Sequence, residues 1–248
     1  MASTSKQGHN RNAVNFDKLI VHCTSYGTDY SPNKGTLKIA AMQAQSTAVK
    51  TTLTTVNALT PPYKNAVAAR VTAFKNFNKR ITRANNALKA SDTTKEVIKS
   101  AQTIVRMLQG RRATPKKTEE QKKIAAEAGK EIVEKSNSQL SFDDRIDHLD
   151  KFIKILSSVV AYAPNEADLK ITALTALYTD LKAKNVAVVS TDASLSNARI
   201  ARNVAMDKDN VGLVDVANDA KTYIKSVFGA TSPQYKQVSG LKFIKYSI

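Results

Sequence analysis

Two stretches decide the fold: residues 30–39, YSPNKGTLKI, and residues 162–171, YAPNEADLKI. They repeat at a spacing of 132, and the match runs without a gap from Tyr30 to Phe74 and from Tyr162 to Met206. Of those 45 aligned pairs 16 are identical, among them Asn65/Asn197, Ala69/Ala201 and Arg70/Arg202. The register then shifts, and Glu96–Gly110 matches Asp215–Gly229 at a spacing of 119. The second copy therefore lacks 13 residues, around positions 75–95 of the first. An internal repeat of this length predicts a duplicated supersecondary module.

Each copy reads as helical. Pro32-Asn33 and Pro164-Asn165 fit a helix start, with Asn as the cap and Thr36 or Asp168 three positions on. Leu174, Leu177, Leu181 and Val188 then keep helical spacing. In the first copy Pro61-Pro62 is expected to break the chain and to open a new helix reaching about Ala90. That helix would place Val67, Phe74, Phe77, Ile81 and Leu88 on one face and Lys64, Lys75, Lys79 and Lys89 opposite. Thr93 and Glu96 form a capping-box pattern, and the next helix turns Val97, Ala101, Ile104, Val105 and Leu108 inward. Gly110 and Gly229 are placed to end equivalent helices.

The expected architecture is all-α, with duplicated antiparallel helical bundle modules. Its parts are a disordered tail over 1–14, a first module over 15–117, a linker helix over 118–140, a second module over 141–231 and an extended C-terminal tail over 232–248. The linker helix, from Thr118 to about Lys135, has a stripe of Ile124, Ala128 and Ile132. Ser141 opens a helix with Phe142, Ile146, Leu149, Phe152, Ile153 and Leu156 on its apolar side, whose counterpart in the first copy is the Phe16–Cys23 region.

The Y-x-P-N repeats, the Ala201-Arg202-Asn203 triplet and the tail SPQYKQVSGLKF at 232–243 resemble a family of basic, duplicated, all-helical bacterial proteins. That resemblance spans about Phe16 to Lys245 and implies a helical fold. No activity is established for the family, so it supplies no mechanism.

Charge gives the first functional indication. The 248 residues carry 38 Lys and Arg against 21 Asp and Glu, a formal net charge of +17. Residues 1–140 hold 24 basic and 9 acidic groups, residues 141–248 hold 14 and 12, and residues 64–123 alone hold 16 and 4. This asymmetry points to a polyanionic partner on the first module; the plain alternative is a solvated lysine-rich surface. The expected nucleic-acid-binding face comprises Lys64, Lys75, Lys79, Arg80, Arg83, Lys89, Lys95, Lys99, Arg106, Arg111, Arg112, Lys116 and Lys117. Lys outnumbers Arg 28 to 10, which favours point-charge contact with phosphate over bidentate base reading. Phe74 and Phe77 belong to the expected core, so base stacking is not supported.

Other chemistry finds little support. The chain has no phosphate-binding glycine loop, dinucleotide fingerprint, helix-turn-helix or zinc-finger pattern. Cys23 is the single cysteine, and its neighbour His22 reads as packing rather than as a nucleophile–base couple. His9 falls in the expected tail. Asp144 and His148 share a helix face with Asp143, Asp147 and Asp150, yet the Glu-x-x-His pattern of a di-iron bundle is missing, and acids suit that helix's N-terminus. Arg70 and Arg202 fall within apolar faces, where a charge needs a partner. The acidic position shared by both copies is Glu96/Asp215, so Arg70–Glu96 and Arg202–Asp215 ion pairs are expected to set helix register; the alternative is that Glu96 caps its own helix while Arg70 snorkels out.

No metal or cofactor is expected, and no catalytic residue. The N-terminal MASTSKQGHNRNAVNF lacks the apolar run of a signal peptide, and no stretch approaches a transmembrane span. The expectation is a cytoplasmic, non-enzymatic protein that binds DNA, RNA or the ribosome without sequence preference. The alternative is a scaffold whose paired modules drive homo-oligomerisation.

Overall fold

The computed structural model describes residues 4–111, 118–128 and 141–246, with side chains from Gly8 onward. These residues form helices and turns, and none is in a strand. In chain order the helices are α1 (Thr4–Ser25), α2 (Ile39–Ala73), α3 (Phe77–Lys89), α4 (Lys95–Leu108) and α5 (Glu119–Glu127). They continue with α6 (Phe142–Ser157), α7 (Ile171–Asp207), α8 (Leu213–Phe228) and α9 (Pro233–Ser239). The all-α reading therefore holds.

Equivalent positions of the two copies share local structure. The Tyr30 hydroxyl donates to the Leu37 carbonyl at 3.0 Å, and the Tyr162 hydroxyl donates to the Leu169 carbonyl at 2.8 Å. Each bond closes a loop over a single 3-10 turn, Gly35–Leu37 or Ala167–Leu169, which leads directly into a long helix. The Asn of Y-x-P-N is thus not a helix cap: α2 and α7 begin at Ile39 and Ile171, and the motif builds the approach to them. Met42 and Leu174, then Val49 and Leu181, are buried at matching positions. Helices α1 and α6 also correspond, at a spacing of 133: Phe16/Leu149, Leu19/Phe152, Ile20/Ile153 and Cys23/Leu156 are all buried. Gly110 and Gly229 both have positive φ, 73° and 91°, as helix exits of this kind require.

Several local expectations change. The chain is already helical from Thr4, so most of the tail expected over 1–14 belongs to α1, while residues 1–3 lie outside the described ones. Pro61 and Pro62 sit inside an unbroken α2. Their rings deny hydrogen bonds to the carbonyls of Asn57 and Ala58, but both residues face solvent, where water can satisfy those oxygens. Helix α4 is capped by Thr94, whose side chain accepts from Val97 N, rather than by Thr93. Thr118 and Ser141 cap α5 and α6. Helix α5 ends at Glu127, and the continuation expected to Lys135, with Ile132, falls outside the described residues. The C-terminal tail is helical over α9 and irregular only over 241–246.

The compact units do not follow the repeat. One unit, here the terminal unit, joins Met1–Lys64 to Thr191–Ile248; the other, the central unit, is Asn65–Ser190. This replaces the expected sequential modules at 15–117 and 141–231. The reason lies in helix length: α2 and α7 have 35 and 37 residues, and a helix of that size is about 50 Å long. Both helices contribute residues to each unit, so the elements flanking the two ends of α2 enter different cores. The terminal core unites Phe16, Leu19, Met42 and Val49 with Met206, Leu213, Val216, Ala220 and Ile224. The central core unites Phe77, Ile81, Leu88 and Val105 with Leu149, Phe152, Leu156, Leu174 and Leu181.

Burial tunes three groups in these loops and cores. It pushes the Cys23 thiol up to about 11 from 9.0 and the Tyr162 phenol up to about 12 from 10.0, and it raises Tyr30 further still. Each folded group holds its proton after the unfolded chain would release it. Stability is therefore expected to stay flat up to about pH 9 and to fall between pH 9 and 12, first through Cys23 and then through the tyrosines. Melting temperatures across pH 7–11.5 check this; a decline already complete by pH 9 would contradict it.

Candidate polyanion-binding face

Net charge divides almost evenly between the two units. The terminal unit carries 15 basic and 7 acidic residues and the central unit 23 and 14, net charges of +8 and +9. The contrast between the sequence halves disappears because each unit draws on both. What survives is local: residues 75–111, the α3–α4 hairpin and its exit, hold nine basic groups against Asp92 and Glu96.

Helix geometry gathers these cations. Rotating 100° per residue, Lys95, Lys99, Gln102, Arg106 and Gln109 form one stripe along α4. On α3, Lys79, Thr82, Asn86 and Lys89 form another. Gln109 Nε2 donates to Thr82 Oγ1 at 2.9 Å, joining the two stripes on the same side of the hairpin. The opposite faces bury Phe77, Ile81, Ala84, Leu88, Ala101, Val105 and Leu108. Lys75, Lys79, Lys89, Lys95, Lys99 and Arg111 are exposed, and among the described residues none of them forms an ion pair.

Other members of the expected face are engaged elsewhere. Arg80 donates from Nε to the Asp168 carbonyl at 2.8 Å and from Nη2 to the Ala173 carbonyl at 3.1 Å. Arg83 forks onto the Asp168 carboxylate, holding it below the usual carboxylate range. These two arginines fasten α3 to the turn before α7. Lys64 belongs to the terminal unit, and Arg112, Lys116 and Lys117 lie outside the described residues.

Neither expected arginine ion pair forms. Arg70 donates from Nη1 to Asn185 Oδ1 at 2.8 Å, and Asn185 passes Nδ2 to Asp143 Oδ1 at 2.6 Å. The Arg70 guanidinium also lies 4.0 Å from the Phe142 ring centroid. An aromatic face and a buried amide thus serve the cation, and Glu96 stays exposed. Arg202 donates from Nε and Nη2 to Asn203 Oδ1 at 3.0 and 2.7 Å. Asp215 instead accepts from Lys245 and from the Asn210 N–H, each at 2.8 Å.

The remaining candidates lie in the cores and in the α6 cap. Cys23 is buried in the terminal core, and that burial raises its thiol to about 11. Asp144 accepts from the Ser141 hydroxyl at 2.6 Å within the α6 cap. His148 is buried, with Nδ1 3.9 Å from Asp147, and no metal-binding cluster occurs among the described residues. Phe74 and Phe77 are buried as expected, and Arg145 stacks on both at 4.8 and 4.6 Å, a contact their spacing in the sequence did not signal. No helix among the described residues is long and apolar enough to cross a membrane. No family model, curated protein or solved structure matches this chain.

Proposed function

We propose that the protein is a non-enzymatic, cytoplasmic binder of nucleic-acid backbones, engaging DNA, RNA or a ribonucleoprotein such as the ribosome without sequence preference. The observation carrying this reading is the α3–α4 hairpin, whose solvent side has Lys79, Lys89, Lys95, Lys99 and Arg106 on adjoining stripes. The exposed lysines among them have no carboxylate partner among the described residues, so they are available to phosphate. Lysine ammonium groups on flexible stems suit the backbone as point charges and carry no base-reading geometry. Phe77, the hairpin's one aromatic, is buried in the core, which leaves no stacking platform on this face.

The test is an electrophoretic shift of duplex DNA and of RNA across a salt series. Binding should weaken as log salt rises, with a slope of about −0.9 per phosphate contact on B-DNA, and should not distinguish sequences. No binding at low salt removes the reading. Binding that survives high salt would require contacts other than these cations.

A further inference from the structure

In the terminal unit, residues 241–246 leave α9 at Gly240 and are held as an extended peptide would be. The Lys221 ammonium donates to the carbonyls of Ser239 and Leu241 at 3.1 and 2.8 Å. Asn15 Nδ2 donates to the Lys242 carbonyl at 2.9 Å. Asn12 reads Ile244 in both directions: its amide donates to the Ile244 carbonyl at 2.8 Å and its oxygen accepts the Ile244 N–H at 3.2 Å. Leu241 and Phe243 pack against the core, and Lys245 reaches Asp209 and Asp215. The Tyr246 ring lies 4.9 Å from His9, directly over Gly8, where a Cβ would come within 2.0 Å of the phenol oxygen. Asn12 and Asn15 are only 2 % and 9 % exposed. Such amides need a partner, and here backbone groups of the segment provide it.

The central unit covers the matching place differently. At the spacing of 133, His9 corresponds to Phe142 and Asn12 to Arg145. Phe74 lies 4.9 Å from Phe142, as Tyr246 does from His9, and Arg145 donates to Asn78 Oδ1 at 2.9 Å, where Asn12 binds Ile244. Residues around α3, the element missing from the second copy, thus take the role that 241–246 take in the terminal unit. Helix α3 buries five of its own side chains, whereas residues 241–246 form no helix and are held largely through side chains of α1 and α8. Their release requires local opening alone.

We infer that the terminal unit contains a peptide-binding groove, filled in cis by residues 241–246, that accepts the same segment from a second copy of the chain. The exchanged segment would make the same contacts, the low-cost route to association of identical chains. The cis segment competes at an effective concentration on the order of millimolar, so exchange is governed by how firmly it is seated. This inference is independent of the polyanion reading.

The probe is a fluorescent peptide of residues 240–248, GLKFIKYSI, titrated into full-length chains by anisotropy. A chain carrying Phe243→Ala and Tyr246→Ala keeps the groove and weakens its own occupant, so it should bind the peptide about tenfold tighter than the unaltered chain. Adding Asn12→Ala should reverse that gain, and a peptide lacking the Phe and Tyr side chains should not bind. Should the double substitution lower helix content, Tyr246→Ala alone gives the same comparison. Peptide binding no tighter than to the unaltered chain, or indifferent to Asn12→Ala, overturns the inference.

Discussion

Cutting the chain between residues 128 and 141 is expected to yield halves that fail to fold separately and recover cooperative unfolding when mixed. The repeat alone suggests the opposite, because each half contains one copy. Yet both cores are composite. Phe16, Leu19, Met42 and Val49 pack with Met206, Leu213, Val216 and Ile224, which lie beyond the cut. Phe77, Ile81 and Leu88 likewise depend on Leu149, Phe152, Leu156 and Leu174. Burying one such side chain contributes about 1.5–3 kcal/mol, and each half loses several partners in both cores at once. That loss is comparable to the 5–15 kcal/mol typical of a whole domain, enough to leave a half without net stability. Circular dichroism melts provide the measurement: broad, non-cooperative traces for each half and a sigmoidal transition for the equimolar mixture. A half that melts cooperatively at the temperature of the intact chain would refute the interleaved cores.

The sequence discloses local features and conceals pairing. Helical spacing correctly places Phe77, Ile81, Leu88, Val105 and Phe152 inward, because periodicity depends on nearby residues. The Ser141 and Thr118 caps are equally local. Continuity through Pro61-Pro62 is not, since it depends on whether the carbonyls of Asn57 and Ala58 meet solvent. Arg70 shows the same limit at the level of chemistry. Its apolar face correctly signals a demand for partners, but those partners are an amide 115 positions away and an aromatic ring on α6. The charge map changes for a related reason: dividing the sequence at residue 140 mixes two spatial units, whereas the hairpin at 75–111 is concentrated on either count. The Asn12 and Asn15 grips on the C-terminal segment carry no sequence signal, because they bind backbone rather than side chains.

Reversing three hairpin charges, Lys89→Glu, Lys95→Glu and Lys99→Glu, should abolish most nucleic-acid binding while leaving the fold intact. All three side chains are exposed, so each substitution should change stability by no more than about 0.5 kcal/mol. If each lysine meets one phosphate, losing three contacts lowers the magnitude of the salt slope by about 2.7. At about 0.1 M salt the same counterion release corresponds to an affinity loss of roughly 10²–10³-fold. Net charge offers a competing explanation, since the triple change takes the chain from +17 to +11. A matched variant separates the two: Lys18→Glu, Lys38→Glu and Lys236→Glu are exposed positions of the terminal unit and change the net charge equally. Binding that depends on the hairpin should survive this second triple with little change in slope. Equal losses in both variants would assign the affinity to overall charge and remove the hairpin as the binding face.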